Sequence, residues 1–143
     1  MFVFNTQIRV RYADTDQMGY VYYGNYGAYY EVARVESLRH LGYAYKDLEA
    51  LGVMMPVLEN FSKFIRPALY DELLRIEVTL KEPPGVRIQF FYKIFNEEDQ
   101  LIHTGNTLLA FVSMDSGKPC RPPKVLTDLF RPYFDETQNL KLG

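Results

Sequence analysis

At 143 residues, with 48% hydrophobic and 15% aromatic side chains, the chain has the size and composition of one folded domain and not of a disordered segment. A formal net charge of −2 excludes a general nucleic-acid surface, though it leaves room for a local basic patch. A lone cysteine, Cys120, excludes an internal disulfide; no run approaches about 18 apolar residues and no basic leader is present, so the expectation is a cytoplasmic protein with no membrane partner.

Residues 3–12 alternate, with Phe4, Ile8 and Val10 on one side and Gln7, Arg9 and Arg11 on the other, which predicts a strand. A short polar segment follows, carrying Asp14 and Asp16, and Gly19 allows it a tight or left-handed turn. Over 24–41 the positions Tyr26, Tyr29, Tyr30, Ala33, Ser37, Leu38 and Leu41 recur at spacings of three and four. That is one face of a helix, and Gly42 provides its stop. A shorter helical turn covers 45–51 and ends at Gly52.

The period then changes to two. Residues 53–65 read as one strand that Arg66-Pro67 interrupts or ends. Strands follow at 73–81 and 86–95, a polar turn at 96–100, a strand at 101–113 and a short helix at 124–130. One strand, one long helix and four further strands predict an α+β domain, an antiparallel sheet packed on a single helix.

Asp16 is the carboxylate of most interest, because it precedes a helix start near Tyr23 or Gly24. A helix start leaves backbone N–H groups unpaired and carries partial positive charge, so a carboxylate beside it suits acyl transfer. In an extended stretch Asp14 and Asp16 would project to the same side, but two carboxylates with no nearby histidine make a poor metal site. His40 and His103 sit in different elements without a nucleophile motif, and there is no glycine-rich phosphate loop. Glu31 and Arg34 are spaced for an intrahelical pair. Arg66 is placed to meet a phosphate, with Lys63, Arg121 and Lys124 as further candidates.

The segment from Asp14 reads D-x-D-x-x-G-x-V-Y-Y-x-N-Y, followed by E-x-A-R, and residues 64–78 read FIRPALYDELLRIEV. Together these resemble the hotdog-fold acyl-CoA thioesterases, in particular the 4-hydroxybenzoyl-CoA thioesterase branch with its small Tol-Pal-cluster-type members. The resemblance covers nearly the whole chain. It implies a single hotdog domain over 1–143, a sheet wrapped around the long helix, and a homodimer or homotetramer with active sites between subunits. It also implies an acyl-CoA substrate and no metal or redox cofactor.

By the same resemblance Asp16 is the catalytic carboxylate, acting as base or nucleophile, and the backbone N–H of Tyr23 the oxyanion donor. Tyr22 and Tyr26 would line the acyl pocket or pack, Lys63 and Arg66 would bind substrate, and Asp14 would be structural. Many Tol-Pal-type relatives carry histidine where this chain has Tyr23, whereas the 4-hydroxybenzoyl type carries tyrosine. Two rival expectations are an acyl-ACP thioesterase, recognised through basic residues, and a non-catalytic acyl-binding hotdog protein.

Overall fold

Three of the alternating segments, 73–80, 87–95 and 101–110, form strands that each bury one apolar face. The computed structural model describes residues 1–135. In chain order these hold β1 (Phe2–Arg9), α1 (Tyr26–His40), α2 (Tyr45–Ala50), β2 (Val53–Met54), β3 (Val57–Phe64), β4 (Leu73–Leu80), β5 (Arg87–Phe95), β6 (Leu101–Ala110), β7 (Val112–Ser113) and α3 (Lys124–Phe130). The expectation of a single domain over 1–143 extends to 136–143, which lie outside the described residues.

Five strands make one antiparallel sheet in the order β1-β4-β5-β6-β3, and β2 pairs with β7 in a separate ribbon. On β4, Leu74, Ile76, Val78 and Leu80 are fully buried while the residues between them are half-buried. Burial of such side chains stabilises by about 1.5–3 kcal/mol each. A slip of one residue would turn all of them outward, so the pattern fixes the register, with Ile76 opposite Ile94 and Val78 opposite Tyr92.

The long helix lies on that buried face. Its predicted stripe is the observed one, since Tyr26, Tyr29, Tyr30, Ala33, Ser37 and Leu38 are all buried. It ends as predicted: the Gly42 N–H donates to the Arg39 carbonyl and the Tyr43 N–H to that of Leu38. An antiparallel sheet wrapped around one long helix is the hotdog arrangement.

Two predicted strands are each split. Residues 53–65 break at Met55-Pro56, because Pro56 has no N–H to give a ladder; its carbonyl instead accepts from Ala110. Residues 101–113 break at Phe111, which is buried and pairs with Val86 and Cys120. Both breaks release short pieces, β2 and β7, that pair with each other away from the main sheet.

The sheet has two edge strands, β1, whose single neighbour is β4, and β3. β3 has β6 as its single neighbour, and Val57, Leu58, Phe61 and Phe64 along it remain half-exposed. No helix among the described residues is long and apolar enough to cross a membrane.

Candidate active site

Leaving β1, the chain makes a 3-10 turn, Tyr12–Asp14, and then a tight hairpin. Thr15 pairs antiparallel with Val21, and the Asp16 N–H donates to the Tyr20 carbonyl at 2.9 Å. The turn closes with the Gly19 N–H on the Asp16 carbonyl at 3.0 Å, and Gly19 adopts φ +79°, where a side chain would be strained. The 65–72 loop adds a third strand-like piece: Val21 donates to Ala68 at 2.9 Å and Tyr20 bridges to Leu69. The hairpin is thereby tied both to β1 and to the loop between β3 and β4.

Asp14 fastens the hairpin to the helix. Its backbone carbonyl accepts the Tyr22 N–H at 2.9 Å and the Asn25 Nδ2 at 2.8 Å. Its carboxylate is buried and accepts from the Arg11 N–H at 3.0 Å, the Arg11 guanidinium at 3.1 Å and the Tyr29 hydroxyl at 3.0 Å. Burial alone pushes this carboxyl's pKa up, but the donors from Arg11 and Tyr29 outweigh it and leave the pKa below the ordinary value. The expectation that Asp14 and Asp16 share one side is corrected here. The 3-10 turn replaces the extended stretch, so Asp14 turns inward while Asp16 is exposed.

Asp16 Oδ1 accepts the Met18 N–H at 2.9 Å, and among the described residues Oδ2 has no hydrogen-bond partner. Seven residues on, a 3-10 turn, Tyr23–Asn25, leads straight into α1. The Asn25 N–H is used by the Tyr22 carbonyl at 2.9 Å. The N–H groups of Tyr23 and Gly24 meet no acceptor among the described residues. They head a 15-residue helix whose aligned peptide dipoles make this end positive.

Tyr22 and Tyr23 are both exposed, their rings tilted at 43° with centroids 4.6 Å apart. Hydrogen bonding to Tyr23 is the largest influence holding the Tyr22 pKa above its ordinary value. A Cβ on Gly24 would lie 2.7 Å from the Tyr22 ring, so only glycine lets that ring lie against the helix start.

The other sequence candidates separate. Tyr26 is buried, stacked flat on His103 at 4.1 Å with its ring meeting Phe64 edge-on, and burial raises its pKa to about 12. Arg66 is exposed at the start of the loop whose Ala68 holds the hairpin. Ser62 and Phe64 face α1, so Lys63 between them faces the opposite side of the sheet, in register with Thr104. Arg121 lies beside Val86 at the far end of β5, and Lys124 opens α3 nearby. That end is about 26 Å, eight residues of strand, from the end that carries the hairpin. Arg34 does not pair with Glu31; it is buried and donates to the Tyr92 hydroxyl at 2.9 Å.

A buried cluster was not singled out from the sequence. His103 Nε2 is hydrogen-bonded to the Tyr30 hydroxyl, which also bonds Ser62 Oγ at 2.8 Å. Burial lowers the His103 pKa to about 4, so the ring is neutral near pH 7. A Cβ at Gly105 would lie 2.1 Å from the Tyr30 oxygen. The signal was present in the alternation of β6, where 103, 105, 107 and 109 share the inward face.

A family model described as the thioesterase-like superfamily matches residues 10–130. The chain is 33% identical to the acyl-CoA thioester hydrolase YbgC of Escherichia coli O6:H1, over 90% of this chain and 96% of that one. Among solved structures, a DHNA-CoA thioesterase from Staphylococcus aureus superposes with TM-score 0.86 at 33% identity, covering 99% of this chain and 94% of that one. A 1,4-dihydroxy-2-naphthoyl-CoA thioesterase from Synechocystis shares the fold, with TM-score 0.83 at 20% identity over 94% and 98% of the two chains.

Proposed function

The chain belongs to the thioesterase-like superfamily, and from that membership and the geometry around Asp16 we propose that it hydrolyses acyl-CoA to a carboxylic acid and free CoA. The observation that carries this reading is the succession, from Asp16 to Gly24, of a carboxylate with an unengaged oxygen and a helix start with two unengaged N–H groups.

In this reading the thioester carbonyl oxygen accepts from the Tyr23 and Gly24 N–H groups. Asp16 takes a proton from water as the water oxygen attacks the carbonyl carbon. The oxyanion is held at the helix start; as it collapses the C–S bond breaks and CoA leaves as thiolate, which needs little protonation. Direct attack by Asp16, giving an anhydride that water then opens, uses the same geometry. General-base assistance of this kind contributes about 10²–10⁴-fold. Tyr22 borders the reacting group, Tyr26 backs it, and Arg66, exposed at the start of the 65–72 loop, is the cation assigned to the CoA phosphates.

The open edge of β3 supports a homodimer. A strand edge with unused N–H and C=O groups and half-exposed Val57, Leu58, Phe61 and Phe64 is matched by a second copy of itself. Around a two-fold axis the two edges run antiparallel, and each helix start then faces the other protomer.

The test is thiol release from aliphatic and aromatic acyl-CoAs by wild type and Asp16→Asn in parallel. The reading expects turnover by wild type and a loss of about 10²-fold or more in a folded variant. Equal rates for the two proteins would refute the role of Asp16. No turnover by wild type on any CoA ester would refute the activity.

A further inference from the structure

The reaction above uses neither His103 nor Tyr30, yet the fold accepts two costs to place them. His103 is fully buried, and among the described residues its Nδ1 has no hydrogen-bond partner. A buried polar atom left unpaired destabilises, and an apolar side chain on this inward face of β6 would avoid that. The second cost is Gly105, which weakens the interior of β6 because it has no side chain to pack. Its missing Cβ is what admits the Tyr30 hydroxyl; any larger residue would collide with that oxygen and with the Phe61 carbonyl.

Both costs meet at one hydroxyl. Tyr30 Oη is hydrogen-bonded to His103 Nε2 and, at 2.8 Å, to Ser62 Oγ, so it joins α1 to β6 and β3 at once. The Tyr30 ring lies flat on Tyr92 of β5, with centroids 4.1 Å apart. One turn earlier on α1, Tyr26 lies equally flat on His103, also at 4.1 Å. His103 thus holds α1 at two points, by its ring face at Tyr26 and by its nitrogen at Tyr30.

Tyr26 is bonded in turn to the helix start. Its N–H donates to the Tyr23 carbonyl, which fixes the peptide that carries the Gly24 N–H. The neighbouring Asn25 N–H donates to the Tyr22 carbonyl, which fixes the peptide that carries the Tyr23 N–H. A peptide is planar, so each N–H turns with the carbonyl it is joined to. A shift of Tyr26 therefore re-aims the donors assigned to the oxyanion.

We propose that Tyr30 and His103 are positioning residues, which aim the Tyr23 and Gly24 N–H groups through Tyr26 without touching substrate. This rests on the thioesterase reading. Misplacing catalytic groups by about 1 Å costs on the order of 10²-fold in rate.

The experiment measures kcat and KM on the acyl-CoA that wild type turns over fastest, and amide hydrogen exchange in the absence of substrate. Tyr30→Phe removes the shared hydroxyl and keeps the ring on Tyr92. Tyr92→Phe is the matched control, because it removes a different buried hydroxyl between α1 and the sheet, the acceptor of Arg34, and keeps the same stack. Tyr30→Phe is expected to lose about ten- to hundredfold in kcat with KM nearly kept, and to exchange faster at Asn25 and Tyr26. Tyr92→Phe is expected to melt lower but to keep the wild-type kcat and the wild-type exchange at those two amides. Ser62→Ala, which removes one of the two partners of the Tyr30 hydroxyl at a half-buried site, gives the same split in milder form and decides the matter should Tyr30→Phe not fold.

A wild-type kcat in folded Tyr30→Phe and in Ser62→Ala, or equal kcat losses in Tyr30→Phe and Tyr92→Phe, would overturn the proposal. So would unchanged exchange at Asn25 and Tyr26 in Tyr30→Phe, a result that does not depend on turnover. Absence of turnover by wild type on any acyl-CoA would instead refute the thioesterase reading beneath it.

Discussion

Asp14 and Asp16 are the same residue type two positions apart, and the fold treats them oppositely. Asp14 is buried, with Arg11 and Tyr29 on its carboxylate and Tyr22 and Asn25 on its carbonyl. Asp16 is exposed and accepts one hydrogen bond, from the Met18 N–H. One short 3-10 turn makes the difference, because it rotates the first carboxylate into the core and leaves the second on the hairpin. A carboxylate whose acceptor sites are filled stabilises structure; one with an unengaged oxygen, a few residues before a positive helix end, is the one proposed for chemistry.

The strongest challenge to that division removes the other half of the site. Tyr23→Pro deletes one N–H at a position where the backbone already suits proline. Tyr22 has φ −60° and ψ 133°, and Tyr23 opens the 3-10 turn. The expected loss in kcat is about 10²–10³-fold with the melting temperature nearly kept, while Tyr23→Phe, which retains the N–H, stays close to wild type. Steady-state kinetics on both variants check this. Equal losses would move the function of Tyr23 from backbone to side chain.

Asp14→Asn sharpens the comparison from the structural side. It weakens hydrogen bonds to a charged acceptor, each worth about 1.5–3 kcal/mol, and urea unfolding should show a loss of that order. Because the Asp14 pKa is lowered in the folded protein, its contribution is present above the unfolded value, near 3.9, and is lost as pH falls through the lower folded value. The variant should therefore lose less stability than wild type on acidification below about pH 4.

His103 offers a smaller, separate pH effect. Its folded pKa of about 4 lies below the usual 6.5, so the unfolded chain binds the proton first as pH falls between these values. Stability should decline over that window in wild type, and His103→Gln should flatten the decline in a series of melts. Tyr22→Phe is expected to have the least effect, a few-fold change in KM, since its exposed ring borders the site without anchoring it.

Much of this was legible in the sequence because it follows from periodicity. The stripe from Tyr26 to Leu38 and the alternation of β4 and β5 appear in the structure as read. Gly19 marked the turn, and the helix start was read near Tyr23 or Gly24; the antiparallel pairing of Thr15 with Val21 was not. What was not legible depended on single residues acting across the chain. Pro56 divides a stretch that reads as continuous strand, because a missing N–H outweighs local alternation. Arg34 passes over Glu31 for Tyr92, a partner 58 residues away on the sheet. His103 looked idle because its partners, Tyr26 and Tyr30, come from α1, more than 70 residues earlier in the chain.

The division between the two carboxylates is tested most directly by measuring thiol release and melting temperature on Asp14→Asn and Asp16→Asn side by side. The account predicts that Asp16→Asn melts like wild type and has almost no turnover, while Asp14→Asn melts lower and, below its melting point, still turns over. A stable but inactive Asp14→Asn beside an active Asp16→Asn would contradict it and transfer the chemistry to the buried carboxylate.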